Sequence, residues 1–452
     1  MPTLTAKLSE AAGVTRQRSP LTAGLPFAAG ELRDPDRIVL RDAEGRLFPS
    51  CAEVRSTWPD GSIRWALLDA QVDVKAMEQA DLTITYGEQT QPAPQLKSPL
   101  RATDRGDAID VATGTLLARL GKSGSRLFVS VSESRHEYLD LSAESADLRA
   151  WDQAGQVFDG VVDTACIEES NPLRVVVLAH GGFVAEEDRL LSWIARVCFF
   201  AHTSTVRTYV TIVHDQDRPQ IHLQRLSLAL PLSLGDAVQA TAGSHSGLWQ
   251  FDDAVEVSRD APLEMTQSNV ERHHIKHSTP SLVVDRRSNC TGWLQVADAN
   301  HAVSLKVRRP WQSFPKRWWT DGRQIGADLY ADLQQVTHAE GQTAGRRYTE
   351  IGYEPHPAHD KPLRMPQGMA RTHELFLHFG VPAQSGAQID QWALAQEMPL
   401  LLQLPSQRVA DTGVFGPFQP FREQLWPLEL RLREFCQPPN GRGFVNDGDI
   451  VR

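Results

Sequence analysis

Short stretches of alternating or continuously apolar residues, separated by glycine and proline, recur along most of this chain. Ser62-Ile63-Arg64-Trp65 alternates polar and apolar residues, the period-two pattern of a strand with one buried face. The apolar runs Arg174–His180, Val206–Val213 and Ile221–Leu230 also predict strands. Turns separate these runs at spacings that suit a large antiparallel sandwich. We therefore predict a mainly β fold.

Helical periodicity is visible in two places. Ala185–Ala195 fits a helix, but the overlapping segment Trp193–Phe200 fits a strand equally well, and we assign this second half to a strand. Near the end, the Leu-rich segment Glu423–Phe435 predicts a helix. We expect helix mainly in the C-terminal tail.

The length of 452 residues allows two or three domains. A polar, proline-rich stretch follows residue 88 and is typical of a linker. We expect an N-terminal arm at 1–17, a small β-barrel-like domain at 18–95, a linker at 96–106, a large β-sandwich at 107–410 and a C-terminal tail at 411–452.

The segment between Trp58 and Trp65 predicts a β-hairpin. Pro59-Asp60-Gly61 supplies its turn, because proline presets the first corner and glycine accepts the positive φ of the second. Val54 and Trp58 before the turn, with Ile63 and Trp65 after it, can share one face. We expect that face to pack against a core.

Composition and charge exclude several functional classes. Hydrophobic residues make up 41% and charged residues 23%, which is ordinary for a folded domain, and the net charge of −10 argues against a general nucleic-acid binder. No stretch approaches the roughly 20 apolar residues that a membrane span needs. The N-terminus lacks the pattern of a secretory signal, and the five cysteines are widely spread. We therefore expect a reduced, cytoplasmic protein.

Three turn signatures occur in a specific order near the N-terminus. Residues 24–32 read G-L-P-F-A-A-G-E-L, residues 42–45 read D-A-E-G, and residues 58–65 read W-P-D-G-S-I-R-W. This order resembles the N-terminal RIFT-related barrel of the exo-rhamnogalacturonan lyase / YetA-like family. The resemblance covers roughly residues 18–90.

Later segments resemble the central β-sandwich of the same family. They are Val210–Leu232, Gly292-Trp293, Val307–Lys316 and Gly368–Leu375, the last with Arg371 where the family usually has lysine. In that family a large α/α toroid follows the sandwich. Residues 443–450 resemble its entry, so we expect the tail to lead toward a helical domain that this sequence lacks.

The family resemblance implies β-elimination on uronate-containing sugars. Such a reaction needs a cation for the uronate carboxylate, a base, and a proton donor for the leaving oxygen. The segment from Arg308 to Trp319 places cations among tryptophans, whose faces stack on sugar rings. Arg309, Trp311 and Lys316 are therefore candidate substrate-binding residues. The alternative is a domain-junction loop with packed aromatics and solvated charges.

A second segment offers candidate catalytic groups. Arg371 and His373 lie two apart on a predicted strand and so point the same way. His373 is a candidate base with Arg371 as the carboxylate clamp, although a histidine that only satisfies a hydrogen bond fits the pattern equally. Tyr353 is a further catalytic candidate, and Arg347 a further substrate-binding candidate.

We predict no metal site and no cofactor. The clusters His273-His274-Ile275-Lys276-His277 and His356-Pro357-Ala358-His359 match no zinc spacing and are better explained as loop histidines. A calcium ion that bridges the uronate to the protein is the alternative, although the sequence has no Asp-rich loop. Two hypotheses remain. The first is a polysaccharide-lyase-like protein, a carbon–oxygen lyase acting on rhamnogalacturonan-type or other uronate-containing oligosaccharides. The second is a non-catalytic β-rich carbohydrate-binding or scaffold protein. The expected partner is an acidic oligosaccharide, with a second subunit or a separate α/α domain as the further option, and neither nucleic acid nor a membrane.

Overall fold

The computed structural model describes residues 2–94, 96–97, 100–243, 254–269, 272–278, 281–286, 289–332, 363–417, 420 and 427. Strands account for 56% of these described residues and helices for 6%. The prediction of a mainly β fold is therefore confirmed. The chain divides into two compact units, the first formed by 1–101, 170–175 and 394–437, the second by 102–169, 176–393 and 438–452.

The strands before residue 100 are β1 Thr3–Ser9, β2 Arg16–Pro26, β3 Ile38–Arg41, β4 Ser50–Thr57, β5 Ile63–Val74 and β6 Gln79–Tyr86. A 3₁₀ turn, Pro35–Arg37, precedes β3.

The next strands are β7 Arg101–Asp104, β8 Ala108–Ala112, β9 Leu117–Gly121, β10 Phe128–Glu133, β11 His136–Glu137, β12 Leu148–Asp152, β13 Val157–Ser170, β14 Arg174–Ala185, β15 Asp188–Phe200, β16 Thr205–Val213, β17 Gln220–Pro231 and β18 Gln239–Ala242. They are followed by β19 Val255–Glu256, β20 Leu263–Asn269, β21 Arg272–Ser278, β22 Ser281–Arg286, β23 Trp293–Ala297, β24 Ala302–Val307, β25 Lys316–Thr320, β26 Gln324–Tyr330, β27 Leu363–Pro366 and β28 Ala370–Gly380. The C-terminal elements are α1 Gly386–Glu397, β29 Leu401–Gln403 and α2 Ser406–Asp411.

Two sheets enclose the core of the first unit. One has the strand order β29-β1-β6-β3 and the other the order β2-β5-β4. Their inward side chains, among them Leu8, Phe27, Leu68 and Ile84, form one apolar cluster. Burial of this cluster is the main stabilising term for the unit.

The prediction of an N-terminal arm at residues 1–17 is wrong, because residues 3–9 form β1 and pair with β6 along their whole length. The physical reason is visible in the segment itself. Leu4, Ala6 and Leu8 occupy alternate positions and are all buried, whereas the residues between them are not. This period of two gives β1 one apolar face that must be covered.

The expected sandwich boundary at 410 is also wrong. β29 pairs with β1 at the edge of the first unit's sheet, so the chain returns to the first unit before that position. In α2, Arg408 donates to both carboxylate oxygens of Glu31, at 2.7 and 2.8 Å. The backbone pairing and this ion pair together fix the returning segment on the barrel.

The predicted hairpin is present as β4 and β5. The Trp58 amide donates to the Ser62 carbonyl at 2.8 Å, and Gly61 takes the positive φ of +79° that the turn requires. Asp60 accepts from the Ser62 amide at 2.9 Å. The turn chemistry of this motif therefore has a direct structural explanation.

The expectation that four hairpin residues share one face is wrong. Ile63 is 1% exposed and joins the core, whereas Val54 is 41% exposed. The pairing of β4 with β5 shifts register on either side of Ser56. This irregularity changes the direction in which the side chains beyond it point. Trp65 instead packs over Gly24 and meets Phe415 edge to face at 5.6 Å.

A buried ion pair joins β5 to the start of β14 within the first unit. The Arg174 Nε donates to both oxygens of Asp69 at 2.9 and 3.0 Å, and the two side chains are 11% and 4% exposed. Asp69 also accepts from Thr22 Oγ1 at 2.6 Å and from Asn171 Nδ2 at 2.9 Å. The charges are thus paired and hydrogen-bonded, as burial requires.

The second unit contains two sheet systems. One has the order β11-β10-β9-β8-β7. The other runs from β12 to β28 and closes on itself, because β12 also pairs with β17, β16 with β28, and β24 with β28. The buried and less buried residues of β16 alternate strictly, as expected for a strand between a core and an outer face.

The strand predicted for Trp193–Phe200 is confirmed, whereas the helical pattern of Ala185–Ala195 is misleading, because β15 is strand from Asp188 to Phe200. Helix also occurs outside the tail, since α1 packs on the second unit. Trp293 Nε1 donates to Asp390 at 2.7 Å and Trp392 Nε1 to Thr205 at 3.1 Å, so specific tertiary bonds hold this helix.

In the part of the chain that the structure describes, no helix has the length and apolar character to cross a lipid bilayer.

We expect Arg174→Ala to lower the free energy of unfolding by about 3–5 kcal/mol, because it leaves Asp69 buried without its counter-charge. Arg33→Ala is the matched control in the same unit, since Arg33 is 61% exposed and pairs with Asp60 at 3.6 Å. That change should cost less than about 1 kcal/mol. Urea denaturation of both variants makes the comparison. Equal losses would contradict a stabilising role for the buried pair.

Candidate functional site

A pocket of about 440 Å³ lies in the second unit, beside the first half of β28. β16 pairs with β28 from Ala370 to His378, but β24 pairs only from Leu375 onward. The chain beyond β24 turns away at this point, which leaves space along the strand. The lining residues are Tyr209, Arg308, Arg309, Ser313, Ala370, Arg371, Thr372, His373 and Glu374.

The loop after β24 forms one wall of this pocket. The Arg308 amide still donates to the Glu374 carbonyl at 2.9 Å. Arg309 then adopts a φ of +51°, which is uncommon for a residue with a side chain and turns the loop outward. Ser313 Oγ donates to the Arg309 carbonyl at 3.0 Å and closes this turn.

A glycine makes room for the base of the same loop. Gly292 has a φ of +74°, and a Cβ added there would lie 2.7 Å from Cγ of Pro310. The two sequence segments Gly292-Trp293 and Val307–Lys316, which lie at the two ends of the β23–β24 hairpin, therefore pack directly together. Any larger residue at 292 would displace the loop that carries Arg309.

Arg371 and His373 come from β28, with His373 only 3% exposed. Lys316 lies close by and is fully buried. Its ammonium donates to the carbonyl of Leu329 at 2.6 Å and to that of Ser313. Burial lowers the pKa of His373 well below 6.5, and the charges of Lys316 and Arg371 lower it further. His373 is therefore a neutral imidazole at neutral pH.

Glu374, on the face of β28 opposite to His373, binds two arginines. Its two oxygens accept from Arg207 Nε at 2.7 Å and from Arg308 Nη1 at 2.8 Å. The Arg207 guanidinium also lies 4.8 Å from the centre of the Tyr209 ring. One carboxylate thus fixes two arginines, one of which holds a tyrosine.

Positive charge dominates the pocket among the described residues. Arg308, Arg309 and Arg371 line it, whereas Glu374 is the carboxylate in the lining. Arg207 and Lys316 add charge just behind the lining. A site with this balance favours an anionic ligand, and planar guanidinium groups suit a carboxylate.

The predicted site residues are partly brought together. Arg309, Arg371 and His373 line one pocket. Lys316 is near His373 but sealed in the core, and Trp311 lies in the same loop without lining the pocket. Tyr353 and Arg347 lie outside the described residues.

Tyr209, Arg207, Arg308 and Glu374 are the site residues that the sequence reasoning missed. Glu374 directly follows His373, and Arg207 and Tyr209 occupy alternate positions of one strand, so a local signal existed. The pairing of Tyr209 with Glu374 joins residues far apart in sequence. No local pattern predicts such a partner.

Among the described residues, no group of three His, Cys, Asp or Glu side chains is arranged to hold a metal ion. The expectation that His273, His274 and His277 are loop histidines is wrong, because they lie on β21 and are buried. His277 Nε2 bonds the Glu256 carbonyl at 2.9 Å. His356 and His359 lie outside the described residues.

Solved structures with a similar fold include an alpha-mannosidase from Enterococcus faecalis V583, with a TM-score of 0.51 at 11% identity. The match covers 89% of this chain and 46% of the mannosidase. A glycosyl hydrolase family 38 protein from the same organism matches with a TM-score of 0.48 at 12% identity, over 88% of this chain and 47% of that one. At such low identity the first likeness shows the fold alone.

Among curated proteins, the uncharacterized protein YetA of Bacillus subtilis (strain 168) is 27% identical over 230 residues. The match spans 46% of this chain and about a quarter of YetA, 24% of its length. Two domain families also match. The PcRGLX-like N-terminal RIFT barrel domain matches residues 6–85, and the PcRGLX-like protein central beta sandwich domain matches residues 100–250. Because these two domains follow each other in order, the chain belongs to the PcRGLX-like protein family.

Proposed function

We propose that this protein binds uronate-containing oligosaccharides of the rhamnogalacturonan type in the pocket beside β28 and cleaves them by β-elimination. The observation that carries the proposal is the set of three lining arginines around a buried neutral histidine. The arginines supply the carboxylate clamp, and the histidine supplies a base. The family resemblance to exo-rhamnogalacturonan lyases supports the same chemistry.

Arg371 and Arg309 are the proposed carboxylate clamp. Elimination removes a proton from the carbon beside the uronate carboxylate, and this proton is weakly acidic. Pairing of the carboxylate with guanidinium groups withdraws negative charge and stabilises the enolate-like transition state. The reaction thus requires cations at the place where this pocket concentrates them.

His373 is the proposed base. The same positive charge that holds the substrate weakens this base, because it disfavours the imidazolium. A bound carboxylate next to Arg371 offsets that charge and raises the pKa of His373 in the complex. Substrate binding therefore makes the base stronger at the moment it is needed.

A second candidate function is non-catalytic binding of acidic glycans. The observation in its favour is the burial of His373, which is only 3% exposed. The ultraviolet absorbance of the conjugated double bond in a 4,5-unsaturated uronate separates the two candidates. Growth of this signal with uronate oligosaccharides supports the lyase, and binding without any signal supports the alternative.

We expect Arg371→Ala to weaken binding of a uronate oligosaccharide by roughly 10- to 150-fold, the loss of a charge-assisted contact. Binding of a neutral oligosaccharide should change little, because it has no carboxylate. Titration calorimetry at low and high salt measures both, and added salt should weaken the wild-type complex. Arg149→Ala, which removes an arginine paired with Asp159 on the protein surface, is the control. Equal effects on both sugars would contradict the clamp.

We expect His373→Gln to lower kcat by about 10²- to 10⁴-fold with little effect on binding, because a base acts in the transition state. In the wild type, kcat/KM should stay constant as the pH falls just below 6.5, because His373 is still neutral there. We expect activity to be lost only when the pH falls through the lowered pKa of His373. A pH profile of both proteins is the measurement. An acid limb above pH 6.5 would contradict the assignment.

A further inference from the structure

We propose that Tyr209 is the proton donor to the leaving oxygen in this reaction, and that Glu374 positions it through Arg207. The inference rests on the proposed function. It assigns a role to a residue that lies outside the segments carrying the family resemblance for the clamp and the base.

The strand register places Tyr209 beside the proposed base, His373, but on the opposite face of the sheet. Tyr209 pairs with Glu374, and the neighbouring pair is Val210 with His373. Successive side chains of a strand point to opposite faces. Tyr209 belongs to the less buried face of β16, whereas His373 belongs to the buried face. Both nevertheless line the pocket, because β24 has ended there. A bound sugar therefore contacts the base and the acid at different positions.

The surroundings of Tyr209 hold its ring in place. The guanidinium of Arg207 lies 4.8 Å from the ring centre, and Arg207 is anchored to Glu374 at 2.7 Å. The second oxygen of Glu374 anchors Arg308 at 2.8 Å. These bonds hold the tyrosine ring in place, and the charges of Arg207 and Arg308 act on its hydroxyl.

The protonation state of Tyr209 suits an acid. Burial raises the pKa of its hydroxyl to about 12, against the opposing charge of Arg207. Tyr209 therefore carries its proton at any working pH, while His373 lacks one. Two titratable groups whose pKa values are pushed apart in this way form a matched acid–base pair.

The other groups of the lining are less suitable donors. The hydroxyls of Ser313 and Thr372 are far weaker acids than a phenol. Both carboxylate oxygens of Glu374 already accept hydrogen bonds from arginines, so this side chain is engaged as their anchor. An arginine does not release its proton in proteins.

The neutral imidazole of His373 takes the proton from C5 of the uronate, and the electron pair of that C–H bond forms the C4–C5 double bond. The C4–O4 bond breaks, and its electron pair stays on the leaving oxygen. That oxygen takes the proton of the Tyr209 hydroxyl. The tyrosinate, stabilised by Arg207 and Arg308, recovers a proton from solvent as the imidazolium releases one.

The test is Tyr209→Phe, which keeps the ring and its contact with Arg207. On a uronate oligosaccharide kcat should fall by about 10²- to 10⁴-fold at a nearly unchanged KM. On a uronate carrying 4-nitrophenoxide at C4 the loss should shrink to less than about tenfold, because this group leaves without protonation. Tyr138→Phe, which removes a phenol hydroxyl that donates to Glu133 outside the pocket lining, is the matched control and should retain wild-type kcat on both substrates.

The outcomes separate this inference from the proposed function. A wild type that eliminates neither substrate overturns the proposed function and the inference with it. An active wild type with an active Tyr209→Phe overturns the inference alone. A variant equally impaired on both substrates also overturns it, because a residue that is merely structural would not distinguish leaving groups.

Discussion

The pocket depends on one constraint of strand pairing. β28 pairs with β16 over most of its length but with β24 over only its second half. The separation occurs at Glu374, whose carbonyl still accepts from Arg308 before the loop leaves the sheet. Had β24 continued, its side chains would fill the space that the pocket occupies. At that position residues from both faces of the β16–β28 pair, His373 and Tyr209, line one pocket.

Further contacts fix the loop after β24, which borders the pocket. Gly292 admits Pro310 at the base of the loop, and Ser313 closes the turn at Arg309. The buried ammonium of Lys316 links the Ser313 carbonyl to that of Leu329 on β26. The loop is therefore fixed to the sheet at its beginning and its end. Such support allows a residue with a positive φ, Arg309, to be held at the pocket.

Local patterns predicted the fold better than the site. Turn chemistry between Trp58 and Trp65 predicted the hairpin, because proline and glycine act within a few residues. The packing of Trp65 could not be predicted, because it depends on a bulge and on the distant Phe415. Likewise, the spacing of Arg371 and His373 placed both at one pocket, whereas Tyr209 reaches it only through a pairing across 165 residues of chain. Long-range register is the information that one sequence lacks.

The positive charges around β28 have two opposing effects in the proposed function. They weaken the base, and they favour a carboxylate ligand. Lys316 and Arg371 disfavour the imidazolium of His373, so an empty pocket contains a weak base. Arg371, which lines the pocket, is also a cation with which the proposed carboxylate would pair, and this pairing would offset its charge. A neutral sugar would occupy the pocket without this compensation and would leave His373 as weak as before. Under the proposed function, selectivity for an acidic ligand and activation of the base would therefore arise from the same electrostatic balance.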